Sequence, residues 1–131
     1  MKSALLFAAL TLLIAQTRAA DTTAFDGTWS VTQRTEEFKN PDGSETPARI
    51  QHFLAYVKNG SMHGEHGTRG EPGWFEINGI INANGVAKLG AHGVTREAGT
   101  YEYLGIARFK ARHGTAKSFG SRISTFTFVK E

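Results

Sequence analysis

Apolar and polar residues alternate with a period of two through most of this chain. In FDGTWSVTQRT, Phe25, Trp29 and Val31 fall on one side; Asp26, Thr28, Ser30 and Thr32 fall on the other. WFEINGIIN places Phe75, Ile77, Gly79 and Ile81 together. VAKLGAHGV sets Ala87, Leu89, Ala91 and Gly93 against Lys88 and His92. TYEYLGIARFKAR sets Tyr101, Tyr103, Ala107, Phe109 and Ala111 against Glu102, Arg108, Lys110 and Arg112. The chain closes with Phe126 and Phe128 between threonines. A period of two is that of a strand with one buried face. RIQHFLAYVK is apolar on both sides, which predicts a strand that is central or covered. No segment carries a helical stripe over three turns.

Turn chemistry separates these runs. All fifteen glycines follow residue 26. Asn59-Gly60 is a strong hairpin signal, because both residues accept positive φ. ANG at residues 83–85 predicts a second hairpin, and TRGEPG at residues 68–73 a further turn. EEFKNPDGSETP, with Pro41, Asp42, Gly43 and Pro47, predicts a loop. Short connections make neighbouring strands antiparallel. The expectation is an all-β chain: a small antiparallel meander closing into a seven- to eight-stranded β-barrel, since closure removes exposed edges. Small inward residues such as Gly79, Ala91 and Gly105 suit a tight interior. A two-sheet β-sandwich is the alternative.

The first twenty residues do not follow the strand pattern. Lys2 precedes an apolar run over residues 4–15 broken only by Thr11, and a short polar stretch then ends in small residues. That is the layout of a secretory signal peptide, with cleavage after Ala19 placing Thr17 and Ala19 at the small-residue positions. The run is too short to cross a bilayer as a helix, which takes about 20 apolar residues. Residues 20–131 then make one domain.

Cleavage changes the charge. Fifteen basic and twelve acidic residues give +3; losing Lys2 and Arg18 leaves thirteen against twelve, or +1. No nucleic-acid partner is expected at that balance. The chain has no cysteine. Disulfides, thiol catalysis and zinc–thiolate sites are thereby excluded, and stability must come from burial and hydrogen bonding.

With its motifs in order, the sequence resembles small exported β-rich domains of rhizobia and other alphaproteobacteria. The likeness rests on FDGTWSV at residues 25–31, on VKNG…HGEHGT…PGW, on a G-I…A-N-G-x-A-x-L hairpin, and on TFTFVK at residues 125–130. It covers nearly all of the chain after residue 19. It implies an exported β-rich domain, periplasmic or secreted in a bacterium, and carries no activity with it. Relatives commonly hold a cysteine after the first strand and another before TFTFVK. Here those regions read TQRTEE and RISTF. A more distant architectural likeness is to avidins, through GTWSV, but Ser30 and Val31 stand where avidins place biotin-gripping polar residues.

Candidate chemistry concentrates in VKNGSMHGEHGTRGEPGW. His63 and Glu65 share a strand face and His66 takes the other. A metal needs three or four ligands converging at about 2 Å, and His92 or Glu71 would have to complete that set. The expectation is no metal and no cofactor, with His63, Glu65, His66, Arg69 and Trp74 decorating the rim at one end of the barrel. No Gly-x-Ser-x-Gly elbow and no phosphate-binding glycine loop occurs. Glu65 with Glu71, or Glu76 with Glu102, are possible carboxylate pairs, but no spacing forces them together. Residues 96–131 hold seven basic and three acidic groups, so +4, with Arg108, Lys110, Arg112, Lys117 and Arg122 as the basic series. Trp29 belongs to the core, and Trp74, after EPG, to a rim.

The function expected from these features is a non-enzymatic exported envelope protein that binds an envelope component or a small ligand. Two alternatives remain: a small-molecule carrier of lipocalin or avidin type, and an inhibitor of a secreted protease presenting EEFKNPDGSETP.

Overall fold

The computed structural model describes residues 22–117 and 124–131. The expected signal peptide, residues 1–19, and Arg122 lie outside the described residues. The described residues form strands β1 (Gly27–Thr35), β2 (Phe38–Lys39), β3 (Glu45–Thr46), β4 (Arg49–Lys58), β5 (Ser61–His66), β6 (Phe75–Ile81), β7 (Val86–Val94), β8 (Thr100–Lys110), β9 (His113–Ala116) and β10 (Ser124–Lys130). Eight of them close a barrel in the order β1-β10-β9-β8-β7-β6-β5-β4, with every neighbour antiparallel. β2 and β3 pair as a separate ribbon. Closure runs from Trp29↔Lys130 to Thr35↔Ser124.

The alternation read from the sequence decides what lies inside. Trp29, Val31, Phe53, Ala55, Val57, Met62, Ile77, Ile81, Ala87, Leu89, Ala91, Ala107, Phe109, Phe126 and Phe128 are buried in one cluster. Its lower end is aromatic. Phe109 meets Trp29 edge-on at 5.3 Å and Phe128 at 5.0 Å, and Phe25 approaches at 6.0 Å. Trp29 Nε1 donates to the Phe25 carbonyl at 2.9 Å, so the buried indole loses no hydrogen bond. Gly114 is required beneath this stack: a Cβ there would lie 2.4 Å from the Phe109 ring. At Asn59 and Gly60, φ is 51° and 80°, which is the left-handed hairpin geometry expected.

Two expectations change, and a third, that β4 is central or covered, is decided for central. EEFKNPDGSETP is not an irregular loop; it contains the β2–β3 ribbon. Its turn is held by Asn40 N to Ser44 O at 2.8 Å and by Asn40 Nδ2 to Thr46 Oγ1 at 3.1 Å. The apolar outer face of β4 is not covered, and Ile50, Leu54 and Tyr56 are exposed. A barrel strand has neighbours on both edges and solvent on one face, so pairing at both edges does not require burial of both faces. Finally, β8 stops at Lys110. Ala111 turns with φ 53°, and Arg112 donates to the Lys130 and Glu131 carbonyls at 2.9 and 2.7 Å. Arg112 therefore leaves the basic strand face, and β9 follows it.

Phe128→Ala removes a fully buried ring that packs on two others. The expected loss is about 3–5 kcal/mol in urea unfolding with the slope unchanged. A loss near zero would mean that this end of the barrel is not the packed core.

Candidate functional site

Inward-facing residues are large and apolar at one end of the barrel and polar at the other. At the polar end, Gln33 and Thr35 close β1, Arg49 and Gln51 open β4, Tyr101 and Tyr103 open β8, and Ser124 opens β10. With Phe75, Gly73 and the turns around residues 46–48 and 94–97, they line a cavity of about 880 Å³. Small-molecule pockets span about 300–1,000 Å³. Phe75 contributes apolar surface to the lining and packs edge-on to Phe53 at 4.9 Å.

The polar groups of this mouth are ordered. With the Gln51 amide placed to satisfy both its ends, its oxygen accepts from Arg49 Nε at 3.1 Å and Nη2 at 2.6 Å. Its nitrogen donates to Gln33 Oε1 at 3.0 Å. Thr35 Oγ1 and Ser124 Oγ lie 3.0 Å apart. The Tyr101 and Tyr103 rings stack at 5.4 Å and 14°. Burial, and secondarily Tyr101, pushes the Tyr103 phenol up to about 12. Burial also raises Tyr101, against the opposing charge of Arg49. Both phenols are therefore protonated at neutral pH and act as hydroxyl groups. Gly93 lets the mouth form, since a Cβ there would sit 2.4 Å from the Trp74 carbonyl and 2.6 Å from the Tyr101 hydroxyl.

A second cluster lies outside the barrel, beside the same end. Glu65, Glu76 and His92 stand side by side across β5, β6 and β7. Adjacent carboxylates on neighbouring strands repel. Arg69, from the turn at residues 67–74, relieves this: its Nη2 lies 2.9 Å from Glu65 and 2.6 Å from Glu76. Glu76 is only 8% exposed. It also meets His92 Nε2 at 2.8 Å and accepts from Asn78 Nδ2 at 2.9 Å. His63 Nδ1 reaches Asn78 Oδ1 at 2.8 Å. Trp74 Nε1 donates to Glu65 at 2.9 Å, and its ring lies beneath the Arg69 guanidinium at 5.0 Å and against His92 at 5.3 Å. Burial alone would raise the Glu76 pKa, but the hydrogen bonds from His92, Asn78 and Arg69 outweigh it and hold the value at about 2.

Of the five residues the sequence singled out, four meet here: His63, Glu65, Arg69 and Trp74. Trp74 is 6% exposed and forms part of the packing of the turn. His66 is separated from them, on the inner side of the sheet between Phe53 and Phe75. Its Nδ1 is buried without a hydrogen-bond partner among the described residues. Glu71 stays in the turn, its amide bonded to the Thr68 carbonyl. His63, Glu65 and Glu76 offer ligand atoms within 4.8 Å of one another. The Arg69 guanidinium lies within bonding distance of both carboxylates, so the set already has its cation. Glu76 was weighed only as a partner of Glu102, whereas the register sets it beside Glu65; Asn78 and the mouth residues Gln33, Arg49 and Gln51 were not singled out. Their one signal was position: each is a polar residue on a strand, close to the end of the barrel where the turn at residues 67–74 begins.

No family model matches this chain, and neither a curated protein nor a solved structure matches it.

Glu76 makes stability depend on acid. Its folded pKa of about 2 lies below the ordinary 4.5, so the unfolded chain takes up the proton first. Its contribution is present above about 4.5 and is lost as pH falls toward 2. Glu76→Gln should cost about 1–3 kcal/mol at pH 7. In urea unfolding from pH 6 to 3, the gap between wild type and variant should narrow; a constant gap would remove Glu76 as the titrating hub.

Proposed function

We propose that this protein is an exported, non-enzymatic binding module that takes a small molecule into the open end of its barrel, as a carrier of lipocalin or avidin type does. The observation that carries this is the half-filled interior. Trp29, Phe109 and Phe128 occupy one end, while the other holds a cavity of about 880 Å³ with a polar rim. An eight-stranded barrel is just wide enough to be filled by side chains or to hold one small ligand. Here the two halves of one interior follow the two options.

The groups at the mouth favour recognition over chemistry. Amides, hydroxyls and a guanidinium form hydrogen bonds, and the phenols are held away from neutral titration. Export is favoured by the charged, apolar and small-residue sequence of residues 1–19. Among the described residues no helix is long and apolar enough to cross a membrane. A second reading, attachment to an envelope macromolecule, is favoured by one observation. Leu104 on the outer face of β8 is 80% exposed, with Ile106 two residues along the same face.

Native mass spectrometry of the protein purified from its own envelope tests the carrier reading. The expected result is an excess mass that disappears on denaturation and is absent from Gln51→Trp, whose indole fills the mouth. An adduct retained in full by a folded Gln51→Trp variant would place the ligand elsewhere.

A further inference from the structure

We infer that the ligand of the mouth is a flat aromatic acid, with its carboxylate or sulfonate on Arg49 and its ring against the Tyr101–Tyr103 pair. This rests on the reading of the mouth as a binding site and adds the chemical class of its ligand.

Arg49 carries the first half. Of the inward-facing strand residues that line the mouth, it is the one that bears a charge. Among the described residues no carboxylate lies within ion-pair distance of it. Arg69 on the outer face, by contrast, has two. A half-buried guanidinium without a counter-ion gives up hydration that only a neutral amide replaces. Arg49 Nε and Nη2 are engaged by the Gln51 oxygen, and Gln51 is in turn held by Gln33. The guanidinium is thereby fixed at one edge, and its other terminal nitrogen has no partner among the described residues. A fixed planar fork is the geometry that binds an acid group through paired N–H donors. Arg96, Glu97 and Glu102 also border the cavity. Arg96 and Glu97 belong to the turn after β7 and offset each other in charge. Glu102 pairs in register with His92 on the outer face. Arg96 against Glu97 and Glu102 leaves the rim at −1, so the positive charge of the mouth is confined to Arg49 on the inner face.

The tyrosines carry the second half. Tyr101 and Tyr103 lie two residues apart on one strand face, and their rings are nearly parallel at 14°. The pair is a stack, and a flat ring extends a stack by offset packing on its end face. Arg49 lies near enough to Tyr101 for its charge to oppose burial in setting the phenol's pKa. The acid-binding and ring-binding groups are thus neighbours, and one small molecule spans both.

Two dyes of the same shape separate the contributions. 8-Anilinonaphthalene-1-sulfonate is a flat aromatic anion, and N-phenyl-1-naphthylamine is its uncharged counterpart. Both are titrated by fluorescence into the mature protein and its folded variants at micromolar concentration. Arg49→Gln should weaken the anionic dye about tenfold or more while changing the neutral dye less than about twofold. Arg49→Lys should fall between, and Tyr103→Ser should weaken both dyes. Equal losses for both dyes in Arg49→Gln, or no loss for either, would overturn the inference. So would binding that Leu104→Ser abolishes and Tyr103→Ser spares, because the dyes would then sit on the outer face. If the wild-type barrel binds neither dye, the inference is overturned, while the carrier reading stands or falls separately on the adduct in the native mass.

Discussion

The ladder between β1 and β10 is the constraint on which the rest of this structure depends. It joins the first strand to the last, from Trp29↔Lys130 to Thr35↔Ser124, and leaves no strand of the barrel with an open edge. Closure also sets the interior width. Once eight strands meet, the space inside is fixed by geometry, and only side-chain size decides whether it is filled. At the lower end the choice is Trp29, Phe109 and Phe128, which leave no room. At the upper end it is Gln33, Gln51, Ser124 and two tyrosines leaning on each other, which leave a cavity. No disulfide assists, since the chain has no cysteine. The aromatic end therefore carries much of the stability that lets the polar end stay open.

The cluster outside the barrel follows from the same register. Pairing β5 with β6 puts Glu65 beside Glu76, an arrangement that is unfavourable without a cation. Arg69 supplies it and in doing so straps the turn at residues 67–74 to the sheet. Trp74 completes the strap by bonding Glu65 and covering His92. The strap ends at the cavity. The Gly73 amide bonds the Val94 carbonyl at 2.9 Å, and Gly73 and Val94 both line the mouth. The histidines and glutamates that draw the eye in the sequence thus hold a wall of the cavity in place.

Much of the fold was legible because alternation is a local property. The inward sets Phe75-Ile77-Gly79-Ile81 and Ala87-Leu89-Ala91-Gly93 could be read off directly, and Asn59-Gly60 fixed a hairpin. β9 was not legible: in His113–Ala116 the inward residues are Gly114 and Ala116, so no large side chain marks the strand. Gly114 is small because Phe109 covers it, and that contact belongs to the neighbouring strand. The hub was legible only in part, for a similar reason. His63, Glu65, Arg69 and Trp74 lie within one stretch, but Glu76, Asn78 and His92 reach them through the register of three strands. His66 shares the motif and not the site, because a strand sends successive side chains to opposite faces.

The mouth was the least legible part, and its residues show why. Gln33, Arg49, Gln51 and Ser124 come from three strands, and each alone is an ordinary polar residue near a strand end. Strand ends are where polar residues are expected in any case, since the ladder meets water there. What distinguishes these is their parity: they continue the inward rows of Trp29-Val31, Phe53-Ala55 and Phe126-Phe128. A barrel built only to be stable would extend those rows with apolar residues to both ends. Replacing them at one end by amides, hydroxyls and an arginine gives up apolar burial, and the hydrogen-bonded chain from Arg49 through Gln51 to Gln33 shows that the polar groups are arranged. A polar, inward-facing lining confined to one end is what the proposed carrier role needs and what a core does not.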